Sequence, residues 1–147
     1  MATTVSTKVR VAGKLVIDGV TDITYDSAIT MVGLETVASC LGSPFNFNIP
    51  WMPFIGVGQG ENAPSTEDRH LENEKYRKRG VVTTDGTIYK VFARFEEWQP
   101  EDDYILREVG IFDKLHGGRM AARFVLDYDI DIDEEDILEV TVYIWFE

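Results

Sequence analysis

Along most of the chain hydrophobic and polar positions alternate with a period of two. Val5, Thr7, Val9 and Val11 share one face of an extended segment over 5–11. The small pair Ala12-Gly13 offers a turn into a second strand over 14–18. The period changes after Asp26-Ser27, a natural helix N-cap. Ile29, Val32, Gly33, Val37, Cys40 and Leu41 then recur at three- and four-residue spacing, and Gly42 stands where a helix C′ glycine belongs. This pattern predicts one helix over 27–41, packed by one face against a sheet.

Residues 43–64 read as a long loop that encloses a short strand near Met52–Val57. Over 65–80 only Leu71 and Tyr76 are apolar. Ser65 and Asp68 have capping-box spacing, but no apolar stripe follows, so a short helical turn is the most this stretch predicts. From Val81 onward the alternation returns as a meander. Asp85-Gly86 marks a hairpin turn, and Tyr89, Val91, Ala93 and Phe95 share a face. Residues 97–103 form a loop, Tyr104–Phe112 a strand and Asp113–Gly118 a turn. Arg119–Tyr128 is a strand with Met120, Ala122, Phe124 and Leu126 on its core face, and Ile137–Phe146 is the last strand. The expected fold class is mainly β: an antiparallel β-sandwich or curled sheet with one α-helix packed against it, in one domain over 1–147.

Charge changes the picture. The 147 residues carry a net charge of −12, and the excess is confined to one part of the chain: residues 96–147 hold 16 acidic and four basic side chains, whereas residues 1–95 balance. An acidic surface repels phosphate backbones and anionic membranes, so neither nucleic acid nor a membrane is expected as a partner. The single cysteine, Cys40, leaves no internal disulfide to form. The first residues lack the apolar run of a signal peptide. The longest charge-free stretch, Thr36–Gly60, contains three prolines and several glycines, which excludes a membrane-spanning helix through it.

Four constellations invite a chemical reading. Gly56-Val57-Gly58-Gln59-Gly60 begins like a dinucleotide fingerprint, but Glu61 replaces the third required glycine and Asn62-Ala63-Pro64 follows in place of a helix; it reads as a glycine-rich strand exit. Asp127, Asp129, Asp131 and Asp133 alternate, so they share one face of an extended chain and are candidate calcium ligands. The EF-hand spacing fails, and the competing reading is a solvated edge that discourages aggregation. Lys75, Arg77, Lys78 and Arg79 form the one basic cluster, read as a surface that meets an acidic neighbour. The aromatic loop with Phe45, Phe47, Trp51 and Phe54 is either packed over the core or used as a contact surface, where large aromatics serve as anchors. His70 and His116 lie in a loop and a turn, away from any nucleophile in sequence, so no catalytic residue and no cofactor is expected.

Several segments taken in order resemble a known family. They are Ile29-Thr30-x-x-Gly33-Leu34, Gly56-x-Gly58 with Ala63-Pro64-Ser65-Thr66 and Asp68, and Leu71-x-Asn73-Glu74-x-x-Arg77. Phe92-Ala93-x-Phe95, Leu106–Phe112 and Gly118-x-Met120-Ala121-Ala122 complete the set. Over residues 27–146 this order and spacing resembles the bacteriophage tail-collar fibre domain and related phage tail proteins. The resemblance implies a non-enzymatic virion protein that docks on a collar, baseplate or fibre attachment point. Its partners would be other virion proteins and copies of itself in a symmetric oligomer. Family members often continue into a fibre shaft, whereas the sequence here ends after the last strand; the expectation is a docking or adaptor component. A capsid decoration protein and a carbohydrate- or calcium-dependent binding module are the alternatives. Residues 1–26 fall outside the resemblance and read as an added hairpin or arm. Finally, Glu108 lies among apolar residues, where a carboxylate needs a partner, and Arg77 is the partner expected.

Overall fold

The computed structural model describes residues 11–19, 25–35, 52–85, 88–96, 104–133 and 136–146. The alternating segments form nine strands among these residues. They are β1 (Val11–Ile17), β2 (Tyr25–Ile29), β3 (Phe54–Gly58), β4 (Glu74–Arg79), β5 (Val81–Asp85), β6 (Ile88–Phe95), β7 (Tyr104–Phe112), β8 (Met120–Ile132) and β9 (Leu138–Phe146). One sheet has the order β1-β9-β6-β5 and the other the order β2-β8-β7-β3-β4. Every pairing is antiparallel. The described residues are thus mainly β and sandwich-like, with one helix among them, as the sequence predicts.

The core lies between the sheets. Leu15, Val91, Val140 and Val142 from the first sheet meet Ile55, Val57, Val109 and Phe124 from the second, all fully buried. Each aliphatic side chain removed from water in this way stabilises the fold by about 1.5–3 kcal/mol. Tyr25 of the second sheet stacks edge-on against Phe124 and accepts the Leu15 amide of the first at 3.2 Å. A corner joins the sheets on another side. The chain leaves β4 at Arg79, turns at Gly80, and enters β5 of the other sheet. The Gly80 amide donates to Pro53 O at 2.7 Å, and a Cβ here would stand 2.5 Å from Phe92 O, so only glycine fits the corner.

Three sequence expectations are corrected. Ala12-Gly13 is no turn: β1 runs through it, with Ala12 opposite Trp145 and Gly13 opposite Ile144. β9 offers an unbroken partner to the whole of β1, and a continuous ladder outweighs a local turn. The reversal falls instead at Asp18-Gly19, both at positive φ (51° and 77°). The helix does not start at Ser27. Residues Tyr25–Ile29 pair with β8 as β2, and the helix α1 begins at residue 31, described over 31–35. Thr30 is the cap: its Oγ1 accepts the Gly33 amide at 3.0 Å while donating to Met120 O. The predicted residues 36–41 of that helix lie outside the described residues, as do 5–10 of the first segment. Finally, residues 74–79 form the strand β4 against β3 rather than a helical turn. Polar alternation suits an edge strand. The Ser65–Asp68 box does close one turn, with the Ser65 amide on Asp68 Oδ2 (2.9 Å) and the Asp68 amide on Ser65 O (3.1 Å).

The expected core face of β8 is buried, yet so are its neighbours: Met120 to Leu126 are buried without a break. Both faces of this first half of β8 are therefore covered, one by the opposite sheet and the other by the segment 59–73. That second, covered face carries the polar residues of interest.

Candidate functional site

Glu108 of β7 and Arg123 of β8 face this covered layer, and the glycines of β3 make room for it. Glu108 is fully buried and Arg123 nearly so. A buried carboxylate is tolerated only when its lone pairs are occupied, and here they are. Glu108 Oε1 accepts the Asn73 amide at 2.8 Å, and Oε2 accepts the Glu72 amide and Arg123 Nε, each at 3.0 Å. Arg123 Nη2 is also 3.0 Å from Oε2 but lacks hydrogen-bond geometry, so Nε carries the directional bond and Nη2 adds charge attraction. Arg123 Nη1 reaches on to Asn62 O (3.0 Å) and Asp68 Oδ2 (3.2 Å). Glu72 Oε2 closes the circuit by accepting the Asn62 amide at 3.1 Å. One ion pair thereby holds both ends of the loop between β3 and β4 onto the sheet.

The glycine run explains itself in this setting. A Cβ on Gly58 would stand 2.4 Å from Asn73 O and 2.6 Å from Glu108 Oε1, and one on Gly60 would meet Glu72 Cβ at 2.4 Å and Glu108 Oε2 at 2.6 Å. The glycines admit the loop backbone and the carboxylate. Gly33 is the same device in α1, where a Cβ would lie 2.3 Å from Ala121 O.

Arg77 does not pair with Glu108, contrary to expectation. Its guanidinium takes Glu74 in a bidentate pair (Nε to Oε2 2.7 Å, Nη2 to Oε1 2.6 Å) and lies 3.5 Å from the centroid of the Phe112 ring. Nη1 donates to Lys114 O (2.9 Å) and Gly117 O (2.6 Å), which anchors the turn between β7 and β8. Strand order accounts for the exchange of partners. Arg77 and Arg123 are both level with Gly110, but Arg123 is on β8, adjacent to β7, whereas Arg77 is on β4, two strands away. Sequence reasoning missed Arg123, although the signal was the same as for Glu108: a charge inside the apolar run Met120–Leu126.

The other candidates are dispersed. Phe45, Phe47 and Trp51 lie outside the described residues. Phe54 is no free anchor, being half-buried against Leu71, Phe112 and Met120. Lys75 and Arg79 are exposed on β4; Lys78 is exposed as well and donates to Arg94 O at 2.6 Å. Asp127, Asp129 and Asp131 are exposed along the end of β8. Asp129 pairs with Arg107 (2.8 Å), whose hydrogen bond holds the Asp129 carboxyl below its ordinary range and raises the guanidinium. Asp133 donates its amide to Asp136 Oδ2 (2.8 Å) in a tight turn. Among the described residues no three carboxylate, imidazole or thiol groups converge as a metal would require. Away from these groups, burial pushes the Tyr89 phenol well above its ordinary value, and its hydroxyl donates to Met52 O.

Comparison with protein-family models, curated proteins and solved structures finds no match to this chain.

Proposed function

We propose that this chain is a non-enzymatic virion protein of a bacteriophage, a docking or adaptor component of the tail at the collar, baseplate or fibre attachment. One observation carries the reading. Five of the six segments that resemble the tail-collar domain, far apart in the chain, supply Thr30, Gly33, Gly58, Asp68, Asn73, Glu108 and Met120, which meet on one sheet. Residues that meet in this way share a job. Their hydrogen bonds are spent on each other and on the loop backbone, which suits an architectural device better than a reaction centre. A rigid sandwich whose long loop is tied down by a buried ion pair is suited to bearing load between neighbours. The partners are other virion proteins and further copies of the chain.

Mass spectrometry of purified phage particles from the genome that encodes the chain tests this directly. The expected result is a fixed copy number relative to the other tail proteins. Particles that lack the chain overturn the proposal.

A further inference from the structure

We propose that β5 is a self-association edge, at which two copies of the chain join antiparallel into one continuous sheet of eight strands. The proposal is independent of the virion reading. It starts from the four strands that end the two sheets: β1, β2, β4 and β5. An open edge invites a further strand unless charge, proline or cover blunts it. β1 carries Lys14, β2 carries Asp26, and β4 carries Glu74, Lys75, Arg77, Lys78 and Arg79. β5 reads Val81-Val82-Thr83-Thr84 before its first charge at Asp85, and no element among the described residues pairs with its outer side.

Backbone geometry favours an added strand. Asp85 stands opposite Ile88 with two residues between them in sequence, and the pair flanking so short a connection is ordinarily the hydrogen-bonded one. Alternation then turns the N–H and C=O groups of Val82 and Thr84 away from β6, toward whatever lies beyond. Val81, opposite Phe92 on the edge strand itself, is 66% exposed. Large apolar side chains left in water beside an open edge gain from a covering strand.

Charge selects the occupant. β5 is entered from the cationic pair Lys78-Arg79 and leaves through Asp85. A strand with cations just before its start and an anion at its end complements itself when antiparallel, whereas parallel pairing sets like charges together. A two-fold axis at Thr83 places Thr83 opposite Thr83 of the second copy. It also brings each Asp85 beside the other's Val81, on the side of its Arg79. Contact of this isologous kind closes at a dimer.

Sedimentation equilibrium of the full chain over a wide range of concentrations, with circular dichroism as a control, tests the proposal. Wild type should show a monomer–dimer equilibrium. Thr83→Lys and Thr83→Glu, at an exposed position, should keep the wild-type spectrum and each raise the midpoint concentration by about tenfold or more, since like charges then face each other across the axis. An equimolar mixture of the two variants should restore the dimer. A monomeric wild type at every concentration, or a dimer indifferent to T83K, overturns the proposal. Should either variant fail to fold, amide exchange on wild type decides. Protection of Val82 and Thr84 that rises with concentration supports the edge pairing, and concentration-independent exchange refutes it.

Discussion

Glu108 and Arg123 sit on adjacent antiparallel strands, each inside an apolar run and each costly alone. Together they satisfy one another and reach three backbone groups of the loop, at Asn62, Glu72 and Asn73. Removing one partner leaves the other as an uncompensated buried charge. Arg123→Met should therefore cost about 3–5 kcal/mol in urea unfolding, far more than loss of an exposed pair such as Arg94–Glu96. A cost below that of the exposed pair would show that the buried pair does not hold the loop. Asp129 presents the opposite case, a charge pair in water. Its carboxyl is depressed by Arg107, so the pair's contribution is present above the ordinary aspartate range and is lost as pH falls through the depressed value. An NMR titration should place the Asp129 midpoint below that of an ordinary aspartate, and Arg107→Gln should return it to the usual range.

The strand β3 shows how an element is shaped by what must lie against it. Val57 and Ile55 point to the core, while Gly56 and Gly58 face the clasped loop. Alternating large and absent side chains produce a strand that one sheet packs against and a backbone can lie upon. Gly58→Ala should cost about 1–3 kcal/mol through overpacking against the Asn73 carbonyl. Gly117→Ala, where a Cβ meets open space and only the positive φ of 61° resists, should cost about 1 kcal/mol. Thermal melts of the two variants separate space from strain: equal losses would mean that the crowding at Gly58 relaxes freely. The same strand shows why a phosphate-binding reading of its glycines fails. The space they leave is filled by the chain's own carboxylate, the wrong charge for a phosphate.

At the scale of the molecule, two sheets share a core, a glycine corner carries one edge ribbon from sheet to sheet, and a second covered layer backs the five-stranded sheet. Of the acidic residues in 96–147, Asp127, Asp129 and Asp131 stand along the exposed end of β8, a strand that β7 and β3 separate from the basic strand β4. A molecule so divided suits assembly with neighbours of matching charge, in keeping with the virion role proposed above. The β5 edge, free of charge from Val81 to Thr84, is the seam proposed on the same exterior.

Period-two alternation was enough to place β6, β7 and β9 and to choose the buried face of β6, because a half-buried strand must put every second side chain in the core. The two-glycine turn before β8 was legible from local chemistry, and β5 and β6 pair as the Asp85-Gly86 signal requires, with Gly86 itself outside the described residues. Glu108 could be recognised as needing a partner, since burial cost is a property of the residue and its neighbours in the strand. Which partner it took could not be read there. Arg77 and Arg123 are both arginines within reach in sequence terms, and only the strand order β8-β7-β3-β4 puts one next to Glu108 and the other beside Glu74. The start of the helix moved for a like reason: Tyr25–Ile29 has acceptable helical spacing, but the free edge of β8 binds it as a strand. Local chemistry dictates what a residue requires; the pairing of distant strands decides what meets the requirement, because hydrogen-bond ladders and buried charges take their partners from neighbours in space.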